Sequence, residues 1–277
     1  MARLADRTDS RAVIVLRLGS TVDDVFIEVP TADGLAEAWL AQPDAEDSLD
    51  EAHRPPGVLL FMDAIGLRPR IQDMADRIAS WGYVVLAPNV FYRDGTAAET
   101  SPDGPLLTDE DRSAYFAQVG SRMARLTPDK ALADIASYLA ALDSYADPAA
   151  PIGVVGYCMG ARLATRAACA HPDRVAACGG FHGGGLATED ADSPHRGLGS
   201  ARARFVYGHA DQDGSMDAAA VARLGRALAD AGLVAVNEVY AGARHGYTMA
   251  DTAVYDEAAT ERHFAALREL FDATLRE

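Results

Sequence analysis

The stretch "PIGVVGYCMGARLATRAACAH", Pro151 to His171, opens as a continuous apolar run and closes as an alanine-rich helix former. Between the two halves stands Gly156-Tyr157-Cys158-Met159-Gly160. A buried strand that turns directly into a helix is one unit of an α/β sheet. So sharp a turn forces its central residue into strained backbone geometry, and it needs flanking glycines because a side chain there would collide with the neighbouring strand and helix. The Cys158 side chain is therefore expected above the end of the sheet. The following helix aims its N-terminal amides at that side chain, which favours a thiolate on it and an oxyanion beside it. The same glycine-framed cysteine, taken alone, also fits a buried structural thiol.

Working outward, the chain alternates strand and helix signals from about residue 23 to its end, with no internal repeat. "DVFIEVP" and "AEAWLA" predict an antiparallel pair around the turn Thr31 to Gly34. "GVLLFMD", Gly57 to Asp63, and "YVVLAP" have the uninterrupted apolar character of strands buried on both faces of a parallel sheet. Ile71, Met74, Ile78 and Trp81 fall at helical spacing before Gly82, and Thr127-Pro128 reads as the N-cap and first position of a helix through Leu142. Further strands are expected at Val175 to Phe181, "ARFVYG" and "VAVNEVY", with a helix from Asp217 to Ala231 and a long C-terminal helix. This order predicts one mostly parallel, doubly wound sheet with an antiparallel N-terminal pair. Residues 1–22 read as a poorly ordered extension and 23–277 as a single domain. Residues 93–126, rich in Gly, Pro and acids, read as a long irregular connection and candidate lid.

A nucleophile on such a turn requires a base and a group to orient it. "FVYGHADQDGSM" ends one later strand in acidic residues, and "EVYAGARHGYTM" ends the next in a loop bearing His245. Both fall at C-terminal strand ends, where open α/β sheets place their sites, and in the order nucleophile, acid, histidine. His245 would take the Cys158 proton, and an aspartate would hold the ring in the productive tautomer. Asp213 is preferred to Asp211 because Met216, three residues on, supplies an apolar contact to pin the loop. "HGGG" from His182 resembles an oxyanion motif but follows the nucleophile by one strand, so His182 is expected to line the pocket. His209 reads as structural. His53, His171, His195 and His263 read as solvated, and Cys169 and Cys178 as small core residues.

Composition narrows the partners. The 277 residues are 49% hydrophobic and 24% charged, enough for a full core. A net charge of −16 repels nucleic acid and anionic lipid. Three cysteines without CxxC spacing argue against zinc or a disulfide framework and suit a reducing cytoplasm. The apolar patch Ala12 to Leu16 is too short to span a bilayer. A soluble cytoplasmic protein, monomeric or a small homo-oligomer, is expected.

Four motifs together give the chain, from about Asp23 to Leu270, a resemblance to the dienelactone hydrolase family of the α/β-hydrolase fold. "GYCMG" resembles that family's cysteine turn, "DQDGSM" its acid loop, "RHGYTM" its histidine loop and "LLFMDAIGL" the segment bearing an acidic residue and an oxyanion amide. The resemblance implies an oxyanion hole from the Ala64 and Met159 amides, and hydrolysis of activated lactones or enol esters without metal or organic cofactor. It implies that Asp63, where relatives carry glutamate, bonds the resting thiol as a gate. It also implies a substrate-carboxylate clamp of two arginines, of which Arg93 is retained while Met249 stands in the second place. Alternatives of the same chemistry are a thioesterase or a general small-ester hydrolase. Those of another class are a ligand receptor and a thiol redox sensor.

Overall fold

A computed structural model describes residues 25–43 and 54–276; the expectations for residues 1–22 and His53 fall outside them. The chain opens with β1 (Val25–Thr31) and β2 (Gly34–Ala41), followed by β3 (Gly57–Phe61), α1 (Pro69–Ala79) and β4 (Val84–Pro88); the uninterrupted apolar runs give β3 and β4, which are wholly enclosed. Then come α2 (Asp109–Arg125), α3 (Pro128–Leu142), β5 (Ile152–Tyr157), α4 (Met159–Ala170), β6 (Val175–Phe181), β7 (Arg204–Ala210), α5 (Ala218–Asp230), β8 (Ala235–Tyr240) and α6 (Glu257–Leu275). The eight strands make one sheet in the order β1-β2-β4-β3-β5-β6-β7-β8. β2 runs antiparallel to β1 and β4, and every other pair is parallel. This is the expected mostly parallel sheet with its antiparallel opening pair.

The opening hairpin shows why its pattern reads so clearly. Ile27 and Val29 face the core, while Phe26 packs edge-on to Trp39 across the outer face at 5.2 Å. α1 likewise buries Ile71, Met74 and Ile78. Thr127 caps α3 by accepting from the Lys130 amide, with Pro128 at the first position. α6 returns over β5, β6 and β7, with Leu267, Leu270 and Phe271 buried beneath it. Every parallel strand therefore ends on the same side, and the loops that follow β3, β5, β6, β7 and β8 gather there.

Two expectations are corrected. Residues 93–126 are not one irregular connection, because half of them form α2. Thr108 caps it, Asp109, Glu110 and Asp111 occupy its first turn, and Arg122 and Arg125 its last, matching the helix dipole. Only Val119 of this helix is buried, so no apolar stripe marked it in the sequence. The segment is also fastened down: Tyr115 Oη donates to the carbonyls of Ile65 and Thr100 at 2.8 and 3.0 Å, and Leu106 bridges to Thr252. His263, expected to be solvated, is fully buried in α6. Its Nε2 meets Tyr157 Oη at 3.1 Å and its Nδ1 meets the Thr260 carbonyl at 2.5 Å. Burial holds it neutral, with a pKa depressed to about 3.

Candidate active site

Cys158 sits between the last residue of β5 and the first of α4 with φ 54° and ψ −116°. Such geometry costs a side-chain-bearing residue about 1–3 kcal/mol and persists only where its surroundings enforce it. Here they do. A Cβ on Gly156 would lie 2.0 Å from the Gly160 carbonyl oxygen, and one on Gly160 would lie 2.4 Å from the Phe61 carbonyl oxygen. Strand, turn and helix thus approach too closely for any residue but glycine at both places. The Cys158 amide is tied to Phe181 O at 3.1 Å, and its half-buried thiol projects from the strand ends.

The histidine loop after β8 brings His245 Nε2 to 3.1 Å from Cys158 Sγ. On the other side of the ring, Nδ1 lies 2.5 Å from Asp213 Oδ2. Asp213 Oδ1 accepts from the Ser215 amide and hydroxyl at 2.8 and 2.7 Å, so the carboxylate is held on both sides. Of the two aspartates in the loop after β7, Asp211 instead accepts from the Gly242 amide, and Met216 is buried as expected. Burial opposes charge on both partners, but the mutual hydrogen bond and attraction prevail. Asp213 is held down to about 2. His245, facing the sulfur and Asp213, is raised to about 10 despite the desolvation that works against it.

His182 does not line an open pocket. It is fully buried behind His245, with ring centroids 5.5 Å apart, edge-on. Its Nε2 bonds Thr248 Oγ1 at 2.7 Å, and burial drives its pKa well below the ordinary histidine value. The neighbouring Gly184 faces the site in its place: a Cβ there would lie 3.7 Å from His245 Cε1. Two cavities flank the thiol's neighbours, one of about 430 Å³ beside His245 and Asp213 and one of about 200 Å³ beside Met159 and Arg162.

Residues 37–275 match the profile of the dienelactone hydrolase family. The chain belongs to that family. It is similar to a carboxymethylenebutenolidase of Rhodococcus opacus, 32% identical over 120 residues that span 43% of this chain and 41% of that protein. A candidate carboxymethylenebutenolidase of Methylorubrum extorquens is 27% identical over 226 residues, 80% of this chain and 71% of the relative. The crystal structure of a candidate dienelactone hydrolase from Klebsiella pneumoniae superposes with a TM-score of 0.75 at 19% identity, covering 94% of this chain and 99% of that one. At that identity it shows the shared α/β-hydrolase fold.

Within this dienelactone hydrolase family member the expected gate and clamp take a different form. The Asp63 carboxylate does not reach the thiol: Oδ1 accepts from the Ile65 amide at 3.0 Å and Arg68 Nη1 at 2.7 Å, and Oδ2 from Arg68 Nη2 at 3.2 Å. Arg93 does not reach the site either. Its guanidinium bridges Asp33 at 2.6 Å and Asp134 at 2.7 and 2.8 Å, under the opening hairpin. Met249 is buried with its sulfur 3.3 Å from Arg68 Nη2. Ala64 and Met159 sit at the ends of β3 and β5. The Ala64 amide donates to no acceptor among the described residues, and the Met159 amide, first in α4, has no carbonyl one turn behind it.

Arg68 is the site-end residue that sequence reasoning missed. One signal was present: it occupies the cap position of α1, where Ser, Thr or Asp is favoured, and makes no capping bond. Among the described residues no group of three or more His, Cys, Asp or Glu side chains is arranged to hold a metal ion, and no helix is long and apolar enough to cross a membrane.

Proposed function

We propose that this chain hydrolyses activated esters, in particular lactones and enol esters, through an acyl-cysteine intermediate on Cys158. The observation that carries the reading is the line Cys158 Sγ, His245, Asp213, at 3.1 and 2.5 Å, on a strained strand-to-helix elbow. His245, raised to about 10, is an imidazolium at neutral pH, and its Nε2 faces the sulfur, a partner that favours attack as the thiolate. The thiolate attacks the ester carbonyl carbon and forms the S–C bond. The carbonyl oxygen becomes an oxyanion received by the Ala64 and Met159 amides, two donors without competing partners. His245 passes its proton to the departing alkoxide or enolate oxygen as the C–O bond breaks. Water then gives a proton to His245 while its oxygen attacks the acyl carbon, and the thiolate leaves with the carboxylic acid released.

A thiolate departs more readily than an ordinary alkoxide, so the first tetrahedral intermediate collapses back unless the alcohol is itself a good leaving group. That preference selects enol and aryl esters and strained lactones over amides and alkyl esters. Cys158, Cys169 and Cys178 are all free thiols, which suits a reducing compartment. The test is intact-protein mass spectrometry during turnover of a slow p-nitrophenyl ester. An acyl adduct on the Cys158 peptide is expected. Hydrolysis that persists in Cys158→Ala overturns the reading.

A further inference from the structure

The Arg68 guanidinium, 4% exposed, joins the two loops that the proposed reaction must hold in register. Its Nη1 donates to Asp63 Oδ1 at 2.7 Å and to the Gly66 carbonyl at 3.2 Å. Its Nη2 donates to Asp63 Oδ2 at 3.2 Å and Asp251 Oδ1 at 3.1 Å, with Met249 Sδ at 3.3 Å. Its Nε donates to Asp251 Oδ2 at 2.5 Å. A guanidinium has five N–H donors, and all five are engaged. None remains for a substrate carboxylate.

The two carboxylates belong to different loops. Asp63 directly precedes Ala64, and its Oδ1 also holds the Ile65 amide at 3.0 Å, so the carboxylate closes a local turn over Ala64 and restrains the backbone that carries the Ala64 amide. Asp251 lies in the loop that carries His245, six residues further on. A second arginine repeats the tie, since Arg70 Nε and Nη2 donate to the Thr248 carbonyl at 3.0 and 2.7 Å. We propose that Arg68 is a positioning residue: bridging Asp63 to Asp251, it sets the Ala64 oxyanion donor in register with His245. The inference rests on the acyl-cysteine reading above. Lysine cannot reproduce it, because a point charge with three donors cannot bridge two carboxylates in one plane.

The experiment compares wild type, Arg68→Lys, Asp251→Ala and Cys158→Ala with p-nitrophenyl acetate as substrate and 2,2,2-trifluoroacetophenone as an inhibitor that places an oxyanion on a cysteine adduct. Asp251 is 26% exposed, so its variant is expected to fold even where Arg68→Lys does not. Arg68→Lys and Asp251→Ala should lower kcat about tenfold to hundredfold, approaching the loss of one oxyanion donor. KM should hardly move, and inhibitor affinity should weaken by the same factor as kcat. A residue that merely stabilises the fold would lower Tm and leave both quantities unchanged in the folded protein. Wild-type kcat and inhibition in folded Asp251→Ala, with Cys158→Ala inert, overturn the positioning role alone. An active Cys158→Ala, or an inert wild type, overturns the acyl-cysteine reading and this inference with it.

Discussion

His245 Nε2 stands 3.1 Å from Cys158 Sγ while its Nδ1 is held by Asp213. The ring is thus placed between two groups that both favour its protonated form, and its pKa is raised to about 10. Hydrolysis should therefore persist from neutral pH into the alkaline range and fall only as pH passes about 10, when the imidazolium loses the proton the leaving group needs. Asp213→Asn removes one of the groups that raise this pKa, so the alkaline limb should move toward neutrality. A kcat/KM profile of both proteins checks the shift. The same groups set the acid and alkaline edges of stability. The Asp213 contribution is present above its unfolded value of about 3.9 and is lost as pH falls through about 2. That of His245 is full below about 6.5 and is lost as pH rises through about 10.

The three thiols should separate cleanly toward an alkylating agent. Burial pushes Cys169 up to about 11 and Cys178 well above the ordinary thiol value, so both are protonated at neutral pH and unreactive. Cys158 is half-buried and faces His245. Iodoacetamide at pH 7 should give a single carboxamidomethyl group on the Cys158 peptide, read by peptide mapping. In His245→Ala that reaction should slow about tenfold or more, in keeping with the loss of a partner that favours the thiolate.

The sequence carried the sheet and the elbow because both are local. Uninterrupted apolar runs at Gly57, Tyr83 and Ile152 can only be buried strands, and two glycines around Cys158 leave one tight turn. The line of Cys158, His245 and Asp213 was legible from strand ends in that order. What stayed hidden depended on partners far along the chain. Arg68 pairs with Asp251, 183 residues away, and Arg93 pairs with Asp134, 41 residues away. α2 was hidden for a different reason, since a helix with one buried residue has no periodic stripe to read. The caps at Thr108 and the acidic first turn were its available signals.

Arg93 should matter for stability and not for substrate binding. Asp134 is only 2% exposed, so Arg93→Ala leaves a buried carboxylate without its cation, a loss of about 3 kcal/mol or more. Thermal unfolding should show it as a marked fall in Tm. KM for a carboxylate-bearing lactone, compared with its methyl ester, should be unaffected in the folded variant. Met249→Arg should fail to improve anion binding. It places a second cation against Arg68, whose guanidinium already lies 3.3 Å from the methionine sulfur.

The candidate site is intolerant at the elbow glycine Gly156 and tolerant at Gly214 in the loop after β7. A Cβ on Gly156 meets backbone at 2.0 Å, whereas one on Gly214, beside the acid, meets nothing within 4 Å. Gly156→Ala must displace α4 from β5, and should cost upward of about 3 kcal/mol and abolish turnover. Gly214→Ala should keep both Tm and kcat near wild type. The pair distinguishes close packing from general sensitivity of the loops.

Asp63 offers the sharpest comparison between a gate and a fixed support. A free carboxylate beside Cys158 would repel the thiolate, and its removal would quicken alkylation. Here the carboxylate is neutralised by Arg68 at 2.7 and 3.2 Å and tied to the Ile65 amide, while the thiol's partner is His245. Asp63→Asn should therefore change the iodoacetamide rate of the resting enzyme little. It should lower Tm, because Arg68 stays buried with one charged partner in place of two. It should also lower kcat, because the loop that aims the Ala64 amide loses its ion pair. Faster alkylation in a variant with native Tm would instead assign Asp63 to control of the thiol, with its pairing to Arg68 exchanged during turnover.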